Sequence, residues 1–197
     1  NSIILKIEPI SSGNINNTYI VELATSGVKH KFILQSLSNI FESKEIVNIN
    51  HKFITDHMNK KITDNSLPFE FKSKRWEVPN LIKCKSNNLF MFPFESDSWR
   101  VMEYIDSTFT SDFLKDKIMA YETGIGLAKF HLICSDLDCT KLGNSIKNFH
   151  NTKFYIDEYI TAIKAYDFIK LGKKVNKRIQ NLIFDLSNHV KYVQFLL

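Results

Sequence analysis

Apolar and polar residues alternate along two stretches near the start of the chain. Residues 18–23 and 31–37 follow this two-residue period, and the first of these stretches is rich in β-branched side chains. Residues 3–10 are predicted as one more strand. The sequence Ala-Thr-Ser-Gly at residues 24–27 is typical of a turn. The pattern therefore predicts three consecutive antiparallel strands.

A helical pattern follows the third strand. Apolar residues recur at three- and four-residue steps over residues 39–62, which predicts one helix. Asn39 or Ser43 is expected to cap it, and Glu42 and Glu45 fall in its first turns, where the helix dipole favours acidic residues. Short strands are then predicted at residues 69–71, 81–85, 89–92 and 99–104.

From residue 111 onward the apolar spacing is that of helices. Ser111 or Asp112 is expected to start the first one, and Gly172 is expected to follow the end of the second. Gly124 and Gly126 lower the helix propensity of the first, so we expect them where another backbone packs closely. The predicted helices cover residues 111–134 and 154–171 and the apolar stripe from Val175 to Leu197.

The order of these elements predicts an α+β fold with a β-rich part first. Residues 1–104 are expected to form a small, mostly β lobe with one helix, and residues 111–197 to form the start of an all-helical lobe. Residues 105–110 connect the two. Ligands prefer the clefts at such junctions, so we expect the binding site there.

Composition narrows the function classes. The chain has 197 residues, of which 44% are hydrophobic and 24% charged, as in an ordinary globular protein. Its net charge is +5, but no dense basic block is present, so the sequence indicates nucleic-acid binding only weakly. The cysteine count of 3 argues against a secreted disulfide framework, and no apolar run approaches bilayer length. We therefore expect a cytoplasmic protein that binds neither nucleic acid nor membrane.

The first loop carries the clearest candidate chemistry. Residues 11–17 contain Ser, Gly and Asn between two predicted strands. Such a loop can point successive backbone N–H groups into one concavity, which suits a phosphate. A polar hairpin loop without a ligand explains the same residues, so both interpretations stay open at this point.

Several segments, in this order, resemble the aminoglycoside phosphotransferase and choline kinase-like family. The segments are residues 12–19, 32–35, 99–105, 120–122 and 127–131, and residues 148–152 are similar to a motif of the N-acetylhexosamine 1-kinase branch. The resemblance implies a protein kinase-like fold, with an antiparallel N-terminal β lobe and the first helices of an incomplete helical C-terminal lobe. It also implies an ATP-dependent phosphotransferase that acts on a hydroxyl group, most simply that of an amino sugar.

The resemblance also assigns roles along the strands. Kinases place a Lys on the third strand, paired with a Glu of the following helix. The matching strand position here is Gln35, and Glu45, or failing that Glu42, is the implied helix residue. The backbone of residues 103–105 is implied to pair with the adenine edge. The implied nucleotide-binding set is Ser12, Gly13, Asn14, Asn17, Gln35, Glu103, Tyr104 and Ile105.

The catalytic loop of the family has no match in this sequence. No His-x-Asp followed by Asn at the required spacing occurs in the helical part. We therefore predict no catalytic residue and no metal ligand in this chain, expect the ligands of the ATP-bound Mg²⁺ beyond Leu197, and expect the chain alone to be inactive. Because the sequence starts with Asn1 and ends within an apolar periodic segment, we also expect a longer parent protein.

Other functions remain open alongside this one. Choline-type alcohols, homoserine and aminoglycosides are alternative acceptors, because the acceptor is bound by the helical lobe. Gln can donate a hydrogen bond but cannot neutralise a phosphate charge, so Gln35 also fits a non-catalytic, pseudokinase-like nucleotide-binding module. The oligomeric state is not predicted.

Three smaller patches each have two interpretations. His131, Cys134 and Cys139 resemble part of a metal site, but packing is the preferred interpretation because no fourth ligand is evident. His150 is a candidate base or substrate contact, although a loop capped by Asn151 or Thr152 explains it more simply. Arg100, beside Trp99, is a candidate anion ligand, although a ring or a carboxylate partner is more usual.

Overall fold

The computed structural model describes residues 2–10, 13–64, 75–165 and 173–196. The chain divides into two compact units, residues 1–146 and residues 147–197. The predicted division at residues 105–110 stays a prediction. The strand predicted at residues 69–71 and the helix end predicted at Gly172 lie outside the described residues.

The described residues of the first unit form a six-stranded antiparallel sheet. Its strands are β1 (Ser2–Ile10), β2 (Asn17–Thr25), β3 (Val28–Leu37), β4 (Leu81–Ile82), β5 (Phe92–Phe94) and β6 (Asp97–Glu103). Its strand order is β1-β2-β3-β6-β4, and β5 pairs with β6. The three predicted N-terminal strands are confirmed, whereas the strands predicted at residues 81–85 and 89–92 are shorter and shifted.

The predicted turn between β2 and β3 is a two-residue hairpin. Thr25 pairs with Val28 in the sheet, so Ser26 and Gly27 make the connection. Their φ angles are 51° and 82°. Left-handed backbone at both positions matches the right-handed twist of the flanking strands, and this requirement explains the glycine.

Helix α1 (Lys44–Thr63) follows the third strand, as predicted. Of the two predicted caps, Ser43 is the one used: its Oγ accepts from the N–H of Ile46 at 3.2 Å. Glu45 lies in the first turn, where the carboxylate faces the positive end of the helix dipole. Asn39 instead accepts a hydrogen bond from the ammonium group of Lys44 at 2.8 Å.

Helix α2 (Lys117–Ile133) begins later than predicted. Its cap is Asp116, whose carboxylate accepts from the N–H of Met119 at 2.7 Å, so the predicted starts at Ser111 and Asp112 are wrong. The hydroxyl of Ser111 instead donates to the carbonyl of Phe113. Ser and Asp are suitable residue types for a helix cap, but residue type alone did not show which of them accepts the hydrogen bond at the start of α2.

The prediction for the two glycines of α2 is also wrong. A Cβ atom built on Gly124 or Gly126 meets no described atom within 4 Å. No described backbone therefore packs against either position. The two glycines leave open space on this helix.

A small apolar core joins α1, α2 and the segment before β4. Met58, Val78 and Ile133 are buried together, and Trp76 and Cys134 pack against them. This placement agrees with the packing interpretation of Cys134, and burial raises the pKa of its thiol. Within the described ranges, no three His, Cys, Asp or Glu side chains are grouped as a metal site would require.

The described residues of the second unit form two helices, α3 (Thr152–Ala165) and α4 (Lys173–Leu196). Asn151 caps α3, as one alternative predicted, because its Oδ1 accepts from the N–H of Phe154 at 3.0 Å. The hydroxyl of Tyr159 donates to the carbonyl of Ile183 at 3.1 Å and so links the two helices. Among the described helices, none combines the length and apolar character needed to cross a bilayer.

Candidate functional site

A polar row crosses three strands of the sheet. Thr18 of β2 lies opposite Gln35 of β3, which lies opposite Arg100 of β6. Directly opposed residues point to the same face of a sheet, so the three side chains are neighbours. The Nε2 of Gln35 donates to the hydroxyl of Thr18 at 2.9 Å. This bond fixes the orientation of the Gln35 amide, with its oxygen free to accept from the other side.

Arg100 is at the centre of the row. Its Nε and Nη2 donate to Oε1 of Gln35 at 3.0 and 2.7 Å, and its Nη1 donates to Oδ1 of Asn48 at 3.1 Å. The side chain is buried, with only 8% of the residue exposed. We call Thr18, Gln35, Asn48 and Arg100 the arginine cluster. Its acceptors among the described residues are neutral amides, so the carboxylate partner, one of the alternatives for Arg100, is wrong.

The electrostatics of the cluster are unusual for a buried cation. Burial lowers the pKa of Arg100 to about 10, because the low-dielectric surroundings disfavour the charged guanidinium. Among the described side chains, no carboxylate forms an ion pair with it. A guanidinium remains protonated even so, and the cluster therefore holds a positive charge that amide dipoles alone offset.

Helix α1 supplies Asn48 to the cluster. Asn48 is 6% exposed and its Nδ2 donates to the carbonyl of Lys44 one turn earlier, at 3.2 Å. Glu45, the implied helix partner, instead accepts from the hydroxyl of Ser43 at 3.1 Å. The α1 residue that contacts the strand row is therefore one turn beyond the implied one, and it is uncharged. Glu45 is therefore not the residue of α1 that reaches Gln35 and Arg100, and the alternative, Glu42, stays a prediction.

The loop between β1 and β2 adjoins the row. Ser12 lies outside the described residues, and Gly13 and Asn14 are exposed. None of residues 13–17 has a positive φ, so this part of the loop lacks the alternating backbone handedness of one kind of anion nest. The Oδ1 of Asn16 accepts from the N–H of Ser38 at 2.9 Å and anchors the loop to the end of β3.

Asn17, the last implied loop residue, is the first residue of β2 and lies opposite Ser36. It is exposed and directly precedes Thr18 of the arginine cluster. The loop and the cluster therefore share one corner of the sheet. The assignment of Ser12, Gly13, Asn14 and Asn17 to a nucleotide stays a prediction.

The implied adenine-binding segment is at the end of β6. Glu103, Tyr104 and Ile105 line a cavity of about 340 Å³ together with Trp76 and Asn80. The N–H of Glu103 donates to the carbonyl of Asn80 at 2.9 Å, and the Nδ2 of Asn80 donates to the Glu103 carboxylate at 2.8 Å. These bonds hold the segment against the residues before β4. The Nε1 of Trp76 is buried and has no acceptor among the described residues.

The two implied groups of residues are therefore at separate places on one sheet. Gln35 lies opposite Arg100, and Glu103 follows Arg100 by three residues on the same strand. Three residues of extended strand span about 10 Å.

A second cavity lies within the second unit. It has a volume of about 460 Å³ and is lined mainly by apolar and aromatic side chains, among them Phe149, His150, Tyr155 and Tyr159. His150 has a φ of 59°, and its ring is 4.0 Å from that of Phe149. The capping alternative for this patch is thus met by Asn151, while His150 itself faces a cavity.

The nucleotide-binding residues predicted from the sequence do not include two amides that the structure brings to these sites. Asn48 belongs to the arginine cluster, and Asn80 lines the cavity at the end of β6. Asn48 and Asn80 are isolated amides in the sequence, and no pattern distinguishes them from surface residues. Arg100 gave a usable signal, because it lies two residues before the buried Met102 in a predicted strand and therefore on the same face. No protein-family model matches the sequence of this chain.

Proposed function

We propose that this chain is the nucleotide-binding part of an ATP-dependent kinase that phosphorylates a hydroxyl group of a small molecule. An amino sugar is the proposed acceptor, on the resemblance to the N-acetylhexosamine 1-kinase branch. The proposed fold is that of a protein kinase, in which the six-stranded sheet and α1 form the N-terminal lobe. The sheet, its helix and the antiparallel topology support this assignment.

The arginine cluster is the single observation that carries the proposal. Kinases bring a residue of the third strand and a residue of the following helix together beside the nucleotide phosphates. Here Gln35 of β3 and Asn48 of α1 are linked through Arg100, which donates hydrogen bonds to both. A buried guanidinium in this position suits a polyanion, because charge-assisted hydrogen bonds to phosphate are strong.

The adenine base is proposed to bind at the end of β6. The backbone carbonyl and N–H groups of residues 103–105 offer both kinds of partner that an adenine edge requires. The N–H of Glu103 is already engaged by Asn80, so Tyr104 and Ile105 are the proposed donors. The ring of Tyr104 lies 5.4 Å from the ammonium group of Lys31, which fixes its position beside β3.

ATP supplies the transferable phosphoryl group, and this chain is proposed to bind and orient it. Positioning and electrostatic neutralisation are the main sources of catalysis in phosphoryl transfer. The described residues contribute a cation and hydrogen-bond donors toward the phosphates. We assign no Mg²⁺ ligand and no catalytic base to them.

A non-catalytic nucleotide-binding module is the second candidate. Gln35 favours it, because the strand position that carries a lysine in active kinases is neutral here. Both candidates bind ATP at the same place. They differ in whether the parent protein turns it over.

Calorimetric titration of the chain with ATP, with and without Mg²⁺, tests the shared claim. We expect saturable binding of ATP that adenosine reproduces more weakly and that single-stranded DNA does not reproduce. Salt-sensitive binding of DNA without binding of ATP would contradict the proposal and favour a nucleic-acid protein. Adding candidate amino sugars to the full-length protein with ATP then separates a kinase from a non-catalytic module, by release of ADP.

A further inference from the structure

We propose that Arg100 is the phosphate-binding cation of this chain, and that Gln35 and Asn48 position its guanidinium so that the remaining N–H groups contact the phosphate chain. This inference rests on the proposed nucleotide-binding function and deepens it. It assigns to β6 the charge that kinases supply from the third strand.

The donor inventory of Arg100 is the first step. A guanidinium has five N–H donors and no acceptor. The described contacts use one hydrogen each from Nε, Nη1 and Nη2. Nη1 and Nη2 therefore each keep one N–H without an acceptor among the described residues. Phosphate oxygens are suitable acceptors for these two N–H groups, because a guanidinium forms charge-assisted hydrogen bonds to phosphate.

The charge balance of the cluster is the second step. A buried charge is costly unless it is paired, and amide dipoles compensate it only in part. Other described cations, such as Lys31 with Glu22 and Lys52 with Asp56, have carboxylate partners. The guanidinium of Arg100 is buried and has none in the described part of the chain. A phosphate would supply the missing negative charge.

Position is the third step. Thr18, which belongs to the cluster, is the second residue of β2 and lies next to the loop that precedes this strand. The proposed adenine segment begins three residues after Arg100 on the same strand. The cation therefore lies between the loop and the base-binding segment, where the phosphate chain of a nucleotide bound across the sheet would lie.

Three probes test the inference on the whole chain: ATP with Mg²⁺, adenosine, and inorganic tripolyphosphate. In Arg100→Gln we expect the affinity for ATP and for tripolyphosphate to fall about 10- to 100-fold, since hydrogen bonds to charged groups are lost, while adenosine affinity stays within about twofold. Lys52→Gln is the matched control, because it removes one positive charge that Asp56 already neutralises. It should leave all three affinities unchanged.

Gln35→Glu keeps the test open if Arg100→Gln fails to fold. A carboxylate of the same shape would form an ion pair with Arg100 and neutralise its charge. The midpoint of unfolding should therefore stay the same or rise, while ATP and tripolyphosphate bind more weakly. Unchanged tripolyphosphate affinity in both variants, or in Gln35→Glu alone where only that variant folds, would overturn the role of Arg100.

The outcomes separate the inference from the function beneath it. If the wild-type chain binds ATP and Arg100→Gln binds it equally well, the inference falls and the nucleotide-binding function stands. If tripolyphosphate binds through Arg100 but adenosine does not bind, the anion site stands and the nucleotide-binding function falls. If the wild-type chain binds none of the three probes, both fall.

Discussion

Two donors of Arg100 converge on one acceptor of Gln35: Nε and Nη2 lie 3.0 and 2.7 Å from the same Oε1. The Gln35 amide therefore spans the sheet, accepting from β6 and donating to Thr18 of β2. A lysine at this position would place two positive charges side by side. The neutral residue on β3 and the cation on β6 are consequently complementary features of one site.

Replacing Asn48 tests how much the cluster stabilises the fold. Asn48→Ala removes the acceptor of Nη1 from a buried guanidinium, and we expect the free energy of unfolding to fall by about 1–3 kcal/mol. Asn48→Asp supplies a carboxylate in the same place and should be clearly more stable than Asn48→Ala at neutral pH. Urea unfolding of the three proteins measures both effects. Equal stability of all three would show that the contact is energetically irrelevant.

His51 is expected to make the protein sensitive to mild acid. Burial lowers its pKa from the ordinary value of 6.5, the charge of Arg100 lowers it further, and the hydrogen bond to the carbonyl of Pro79 opposes the shift. As the pH falls through 6.5, the unfolded chain takes up a proton that the folded chain does not yet bind. The contribution of neutral His51 to the free energy of unfolding is therefore fully present above pH 6.5. It is lost progressively as the pH falls toward the lower pKa that His51 has in the folded chain.

Urea unfolding at several values between about pH 7.5 and pH 5 measures this loss. His51→Gln keeps a donor for the Pro79 carbonyl but cannot titrate, so its stability should fall less steeply with pH than that of the wild type. His30→Gln, an exposed histidine of β3, is the control and should keep the wild-type slope. A His51→Gln slope as steep as the wild-type slope would contradict the assignment.

Two glycine substitutions should act in opposite directions. Gly124 lies inside α2 with open space around it, so Gly124→Ala should stabilise the chain by about 0.5–1 kcal/mol. Gly27 has a φ of 82°, which an alanine adopts only with strain, so Gly27→Ala should destabilise the β2–β3 hairpin. Thermal unfolding distinguishes the two. Destabilisation by Gly124→Ala would mean that a neighbour packs against this helix face.

The cap of α2 gives a further stability test. Asp116→Ala removes the acceptor of the Met119 N–H and should cost about 1 kcal/mol of unfolding free energy. Asp116→Asn retains a capping oxygen and should lose less. Asp112→Ala is the comparison for the sequence-based start of the helix, and a loss as large as that of Asp116→Ala would shift the cap to that residue.

Local rules were sufficient for the elements that depend on local chemistry. The alternation of β2 and β3, the Ser-Gly turn between them and the Ser43 cap follow from neighbouring residues. The start of α2 could not be predicted in this way. Ser111, Asp112 and Asp116 are all suitable caps, and which of them begins the helix depends on the path of the preceding chain. The expectation that another backbone packs against Gly124 and Gly126 was wrong for a similar reason, because packing partners are set by tertiary structure.

The site was predictable only in part. The position of Gln35 came from the resemblance and its strand, but its partner depends on register: Arg100 is 65 residues away in sequence and directly opposite in the sheet. The choice of Asn48 over Glu45 depends on which turn of α1 faces that row. No local pattern contains either relationship, so the sequence did not predict that the amides of Gln35 and Asn48 bind the guanidinium of Arg100.

Hydrogen exchange of the chain with and without ATP and Mg²⁺, read by mass spectrometry, tests the central claim most directly. We expect slower exchange on ATP binding in peptides that cover residues 13–18, 33–36 and 100–105, and unchanged exchange around the cavity of residues 149–159. Slowing confined to residues 149–159, or no slowing at a saturating ATP concentration, would contradict nucleotide binding across the sheet.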